Sequence, residues 1–254
     1  MRRYAQSIGS IAAIRLRLYD FKSSVGLPVA PSIELKVKNA AHSIEMRTGG
    51  SSDREVLEQI FVEREYEPIA LWGPRMILDL GANVGYSSMF FLSRYPTASV
   101  VAVEPDPVNY AICCRNLKRF GHRARVVHGA VWPESRKLVL HHGAHGDGRE
   151  WTTQVGPGRG AADPNAHIKG YDVPTLINLA NVDTIDLMKI DIERSELELF
   201  SRNTDTWLPH VRNLCIELHG RDCNAVFFRA LSAYSYDLGR SGELTVCRNL
   251  RAGR

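Results

Sequence analysis

Acidic residues recur in this chain beside short apolar runs, and each such place could do chemistry. Asp79 lies within Met76-Ile77-Leu78-Asp79-Leu80, which breaks at Gly81 and Gly85 before apolar residues resume at helical spacing through Leu92. This reads as a strand, a tight turn and a helix. Gly81 and Gly85 let a ligand approach the main chain, and the helix N-terminus turns free N–H groups and a positive dipole end towards it. A carboxylate at Asp79 suits a ligand bearing an ammonium or sulfonium group better than a bare phosphate. The next run, Ser99 to Val103, ends in Glu104-Pro105-Asp106-Pro107, which puts an acid 23 positions after Gly81. An acid at the end of the second strand is where the ribose hydroxyls of a nucleoside are held. Asn83 stands where a dinucleotide fingerprint has its middle glycine, which argues against a pyrophosphate ligand and a nicotinamide oxidoreductase.

Two later runs also end in ionisable groups. Asp183 to Ile192 closes on Lys189-Ile190-Asp191-Ile192-Glu193, and Val211 to His219 closes on Glu217-Leu218-His219. Side chains two apart on a strand share a face, so Asp191 pairs with Glu193 and Glu217 with His219. In an open α/β sheet, ligands bind beyond the carboxyl ends of the strands, which would gather these four groups at one site. Lys189 shares the parity of Asp191 within a buried strand, and an unpaired lysine there is costly. It is expected to form an ion pair with a neighbouring carboxylate.

Asp79-Leu80-Gly81-Ala82-Asn83-Val84-Gly85, Val103-Glu104-Pro105-Asp106-Pro107 and Leu187-Met188-Lys189-Ile190-Asp191-Ile192-Glu193 together resemble the FkbM-type S-adenosylmethionine-dependent methyltransferases, over roughly Ser52 to His219. The resemblance implies an α/β class I methyltransferase (Rossmann-like) fold, a doubly wound, mostly parallel seven-stranded sheet with an antiparallel last strand. It implies S-adenosylmethionine as cofactor, held by Asp79, Gly81, Asn83, Gly85, Glu104, Pro105, Ala130 and Asp191. It also implies methyl transfer to a hydroxyl of a small molecule such as a sugar, glycolipid or secondary metabolite.

A hydroxyl is a poor nucleophile until its proton leaves, so a general base is needed. His219 is the first choice, since an unperturbed imidazole titrates near neutrality; Asp191 is the second, and Glu217 would orient the ring or bind a hydroxyl. Glu193 and Arg194 are expected to touch the substrate, and Trp151 either packs its loop down or stacks on a sugar ring of the substrate. Magnesium or manganese on Asp191, Glu217 and His219 is the less favoured reading, and no resident metal is assigned. The family's pattern Lys-Ile-Asp-x-Glu-Gly is broken at Arg194, which takes the place of the glycine. Arginine makes a left-handed backbone there unexpected and adds a cation at the pocket edge. The departure keeps open a degenerate cofactor-binding scaffold as the alternative to an active enzyme.

The chain has 254 residues, 44% hydrophobic and 24% charged, as expected of an ordinary globular α/β protein with an N-terminal extension. A net charge of +4 is too small to indicate a nucleic-acid partner. Five cysteines form no C-x-x-C pair and read as reduced thiols. With no membrane span and no cleavage site after the N-terminal apolar segment, the chain is expected to be cytoplasmic. Residues 1–67 are expected to form the extension and residues 68–254 the catalytic domain. In the extension, residues 4–21 read as one amphipathic helix, packed on the domain or on a second subunit of a homo-oligomer, with a basic helix resting on an anionic membrane surface as the less favoured reading. A hairpin of Ile33 to Lys38 with His42 to Arg47 follows, then a helix capped at Ser52-Asp53. Residues 141–170 hold 7 of the 20 glycines and read as a mobile loop over the site or a loose hairpin rather than a core element. The last strands are expected at Tyr234 to Leu238 and Leu244 to Asn249.

Overall fold

The computed structural model describes residues 2–141, 154–157 and 167–253. Its centre is a seven-stranded sheet built from β3 (Met76–Leu80), β4 (Ser99–Glu104), β5 (Ala124–His128), β10 (Leu187–Ile190), β11 (Leu214–Glu217), β12 (Tyr234–Ser241) and β13 (Leu244–Ala252). The order across the sheet is β12-β13-β11-β10-β3-β4-β5. The pairs from β11 through β5 are parallel, and β13 runs antiparallel to both β11 and β12. Strand order reverses between β3 and β10, the place where an open α/β sheet forms its ligand crevice. The class I methyltransferase topology is therefore present; β10 and β11 are shorter than the apolar runs suggest, and β12 and β13 are longer.

Alternation along each strand divides the sheet into two buried faces. Ile77, Val100, Ala102, Leu187 and Cys215 join one apolar cluster, while Leu78, Leu80, Val101, Val103, Met188 and Ile190 join the other. The first face is covered by α4 (Tyr86–Arg94), α5 (Pro107–Leu117) and the N-terminal elements, the second by α6 (Val173–Ala180), α7 (Glu196–Ser201) and α8 (Arg221–Ala230). The helices α6 and α7 are not among the sequence-based expectations. In α6, Asp172 caps the first turn by accepting from the Thr175 N–H at 2.7 Å.

The N-terminal segment differs from a single helix. It forms α1 (Arg2–Ile8) and α2 (Ser10–Ser24), broken at Gly9, whose φ of +90° a residue with a β-carbon avoids. The expected hairpin is present as β1 (Ser32–Leu35) and β2 (Ile44–Arg47), with Leu35 opposite Ile44. After Ser52, α3 (Asp53–Leu57) runs into a π-helical turn, Glu58–Val62. Asp53 serves β2 rather than the helix, accepting from the Arg47 N–H at 2.7 Å. Ile8, Ala12, Leu16, Leu35, Leu57 and Ile60 share one continuous core with the first sheet face.

Where residues 141–170 are described, at His141, 154–157 and 167–170, they pair in a second small sheet with an apolar cluster of its own, beyond the loop or loose hairpin expected there. The third strand ends at His128, and β6 (Ala130–Val131), β7 (Arg136–His141), β8 (Gln154–Gly156) and β9 (His167–Tyr171) pair in the order β6-β9-β7-β8. Leu138, Leu140 and Ile168 give this sheet an apolar cluster with Ala130 and Trp132. The glycine-rich composition hid these strands. Gly170 is required where Leu138 approaches, since a β-carbon there would meet Leu138 Cδ1 at 2.7 Å.

Candidate active site

At the carboxyl ends of β3, β4, β10 and β11 lies a cavity of about 310 Å³, within the range of small-molecule sites. Gly81, Asn83, Glu104, Pro105 and Ala130 line one part of it, and Asp191, Glu193, Glu217 and His219 another. Val56, Gln59 and Ile60 from the N-terminal segment complete the wall, with Tyr66 and Glu243. These five were not among the expected site residues, because nothing in their local pattern marks them. Val56, Gln59 and Ile60 arrive through the packing of α3 and the π-helical turn on the sheet, Tyr66 from the segment after that turn, and Glu243 from the turn between β12 and β13.

Gly81 has φ +79°, and a β-carbon on it would stand 1.7 Å from the Asp191 carbonyl oxygen. The close approach of β10 therefore excludes any side chain at Gly81, independently of a ligand. Asn83, at φ +50°, donates its backbone N–H to Glu104 Oε2 at 2.7 Å, and the Asp106 N–H donates to Oε1 at 2.9 Å. Glu104 is thus fixed at the cavity wall with both oxygens oriented. Its burial pushes the carboxyl up to about 8 against those two lowering hydrogen bonds. Asn83 Oδ1 is buried without a partner among the described residues.

Two expected cofactor contacts lie elsewhere. Asp79 is completely buried and does not line the cavity. It is an interior residue of β3 in register with Lys189 of β10, and its Oδ1 lies 3.4 Å from Lys189 Nζ. Its Oδ2 accepts from the hydroxyls of Ser87 and Ser88, both at 2.6 Å, which pins the first turns of α4. Gly85, also absent from the cavity wall, is the N-cap of α4 at φ +85°, where a β-carbon would press on Cys113 Sγ at 3.0 Å. Lys189 behaves as expected of a buried lysine. Burial alone would lower its pKa, but Asp79 and Asp191 hold it above the ordinary lysine value. It donates to the Gly81 carbonyl at 2.6 Å and stands 3.6 Å from Asp191 Oδ2.

His219 is ringed by carboxylates. Nδ1 is 3.2 Å from Glu196 Oε1, while Nε2 is 3.4 Å from Glu217, 3.8 Å from Glu193 and 3.9 Å from Asp191. Burial alone would lower its pKa, but hydrogen bonds to Glu196 and Glu217 and the surrounding negative charge push it up to about 11. At neutral pH the ring is an imidazolium. Four carboxylates around the ring argue against the role of free base expected of His219 from an unperturbed imidazole. Glu196 is a further site residue that no local pattern in the sequence marks. It is completely buried at the start of α7, and its Oε1 also accepts from the Ile192 N–H at 3.0 Å.

Glu193 lines the cavity and is raised to about 7, first by burial and then by the charge of Asp191. Burial also raises Glu217, partly offset by its hydrogen bond to His219. One oxygen each of Asp191 and Glu217 and one ring nitrogen of His219 lie within 4.8 Å of one another, close enough to share a divalent ion. Arg194 does not line the cavity, and its Nη1 donates to the His219 carbonyl at 3.3 Å, tying the end of β10 to the end of β11. It adopts φ +74° after Glu193 at φ +51°. The turn therefore keeps a left-handed backbone that arginine was expected to prevent, and the cation is spent on the main chain. Trp151 lies outside the described residues.

Comparison with known proteins bears on this geometry. The methyltransferase FkbM domain profile matches residues 79–238, more than half of the chain. The 31-O-demethyl-FK506 methyltransferase FkbM of Streptomyces tacrolimicus is 25% identical over 215 residues, 74% of this chain and 82% of that protein. The AMB antimetabolite synthetase AmbE of Pseudomonas aeruginosa is 26% identical over 210 residues, 69% of this chain but only 10% of that protein. The 2-O-methyltransferase NoeI of Sinorhizobium fredii is 25% identical over 146 residues, 52% of this chain and 58% of that protein. Among solved structures, methyltransferase FkbM of Methylobacillus flagellatus KT shares the fold, with a TM-score of 0.51 at 18% identity over 71% of this chain and 45% of that one. The chain belongs to the FkbM methyltransferase family.

Proposed function

We propose that the chain transfers a methyl group from S-adenosylmethionine to a hydroxyl of a small molecule, in the manner of an O-methyltransferase acting on a sugar, glycolipid or secondary metabolite. The observation that carries this reading is the division of one cavity into two chemistries. Glu104 and the Gly81–Asn83 turn form a nucleoside-binding half, and a cluster of carboxylates around an imidazolium forms a proton-handling half.

The residues present fit the cofactor. Glu104 has both oxygens anchored by main-chain N–H groups and faces the cavity, so it can accept from both ribose hydroxyls. Asn83 Oδ1, buried and unpartnered among the described residues, is a second acceptor for a polar ligand group. Ala130 and Val131, at the start of the small sheet, offer an apolar wall suited to the adenine. S-adenosylmethionine supplies an electrophilic methyl on a sulfonium, and the negative charge of the Asp191 cluster suits such a cation.

The protein's tasks are to align the acceptor oxygen, exclude water and take its proton. Glu193 is assigned the proton-accepting role. It lines the cavity, and its one ion pair among the described residues is the loose 3.8 Å contact with His219. By contrast, Glu196 and Glu217 are engaged by the His219 ring and Asp191 is shared with Lys189. A carboxylate titrating near neutrality can take a proton as it leaves the hydroxyl and release it afterwards. The His219 imidazolium serves as a fixed donor that orders the surrounding carboxylates. Magnesium or manganese on Asp191, Glu217 and His219 would have to displace the proton of the ring nitrogen it binds, and it would then lower the pKa of the hydroxyl instead. Because the Arg194 backbone already takes the left-handed form, its replacement of glycine leaves the turn intact and does not favour a degenerate scaffold.

The test is incubation with S-adenosylmethionine labelled in the methyl group and a panel of hydroxylated acceptors, using the wild type and Glu193→Gln. Label on an acceptor oxygen, lost in Glu193→Gln with cofactor binding retained, supports the reading. Label on nitrogen or carbon only, or undiminished turnover in the variant, contradicts it.

A further inference from the structure

The N-terminal helices carry an apolar surface that the rest of the chain leaves uncovered. Ten large apolar side chains are exposed among the described residues, and seven of them lie between Ile11 and Val29. Ile11, Ile14, Leu18, Phe21 and Val25 recur at intervals of three and four, so they form one stripe along α2 and its C-cap. Each is more than half exposed. The opposite face of the same helix, at Ala12 and Leu16, is buried in the core. Helix α2 is therefore apolar on two faces, and only one is used internally.

Charge says what can cover the second face. Residues 1–38 hold seven lysines and arginines against Asp20 and Glu34, a net +5, which leaves the remaining residues at −1 of the chain's +4. Arg15, Arg17 and Lys22 flank the exposed stripe directly and are themselves exposed. Asp20, the acid on this helix, is paired with Arg54 at 2.6 Å. A second copy of the chain seated on this stripe would set basic flank against basic flank. The apolar exposure also continues past the helix end to Leu27 and Val29, in a segment with no helical structure. A partner helix would follow only the straight seam, whereas a planar surface can take both parts.

We propose that this face docks on an anionic lipid bilayer, with the apolar stripe at the level of the headgroup–acyl boundary and Arg15, Arg17 and Lys22 against the headgroups. The helix lies on the membrane and does not cross it; no described helix is long and apolar enough to span one. The α1–α2 pair packs through Ile8, Ala12 and Leu16 into the core that includes Ile60, which lines the cavity, so the docking face and the active-site wall belong to one packed unit.

Co-sedimentation of the full chain with phosphatidylcholine vesicles, with and without phosphatidylglycerol, tests this. The expected result is binding to the anionic vesicles alone, weakened by added salt and reduced roughly tenfold or more in the double variant Ile14→Glu, Leu18→Glu. Both positions are exposed, so the variant should keep its fold, checked by an unchanged thermal transition. Wild-type protein left in the supernatant overturns the proposal, as does equal binding to neutral vesicles. Absence of vesicle binding together with a dimer that the double variant dissolves would assign the face to a second copy and also overturn it.

Discussion

Glu196 and His219 meet at 3.2 Å, a fully buried carboxylate on Nδ1 of a ring whose Nε2 faces Glu217. The pair joins the first turn of α7 to the segment just after β11, and it sets the charge of the site.

His219 is expected to stay protonated throughout the neutral range. With its folded pKa at about 11 above the ordinary value of about 6.5, it contributes stability that is fully present below about pH 6.5 and lost as pH rises through the folded pKa. Nitrogen NMR of the ring should show no midpoint between pH 5 and 8, and Glu196→Gln should bring the midpoint down towards that range. A wild-type midpoint near 6.5 would return His219 to the role of free base.

Glu104 titrates where cofactor binding can be measured. Its carboxyl is protonated below about 8 in the free protein, and ribose hydroxyls that donate to it favour the ionised form. Cofactor affinity should therefore rise with pH up to about 8 and level off above, by at most about tenfold per pH unit. Glu104→Gln should bind weakly and show no such slope. The same raised pKa means that this group's contribution to stability is full below about pH 4.5 and is lost as pH climbs through about 8.

Removing the Lys189 amine should be costly. Lys189→Met leaves the completely buried Asp79 without its ion-pair partner, and breaking a buried pair from one side costs about 3–5 kcal/mol. Chemical denaturation would show it, and a loss below about 1 kcal/mol would contradict the account of this pair.

Arg194→Gly should stabilise the fold. A residue with a β-carbon in the left-handed region costs roughly 1–2 kcal/mol, and Arg194 stands at φ +74°. The hydrogen bond to the His219 carbonyl, lost in the variant, is long at 3.3 Å. A net gain of about 1 kcal/mol in unfolding free energy, read from chemical denaturation, is expected, and a net loss would show that the guanidinium bridge outweighs the strain.

What could be read from the sequence was local. The glycine turn, Glu104 after its strand, and the acids closing the later strands all follow from an apolar run and the residue that ends it, and the cavity does gather Gly81, Asn83, Glu104, Asp191, Glu193, Glu217 and His219. The rest depended on neighbours distant in the chain. Asp79 has the same local signature as Glu104, yet one is turned inward because its register partner is Lys189. The protonation of His219 rests on Glu196, 23 residues away. The small sheet was hidden because its strands are separated by glycine-rich segments with turn-like composition. Gly9, whose positive φ splits the first helix, sits in an apolar pattern that continues across it without a break.

The central claim is best tested by calorimetric titration of S-adenosylmethionine into the wild type, Glu104→Ala and Glu193→Gln, with NAD as the control ligand. The account predicts micromolar binding of S-adenosylmethionine alone to the wild type, its loss in Glu104→Ala and its retention in Glu193→Gln. Undiminished binding to Glu104→Ala, or binding of NAD in its place, would contradict it.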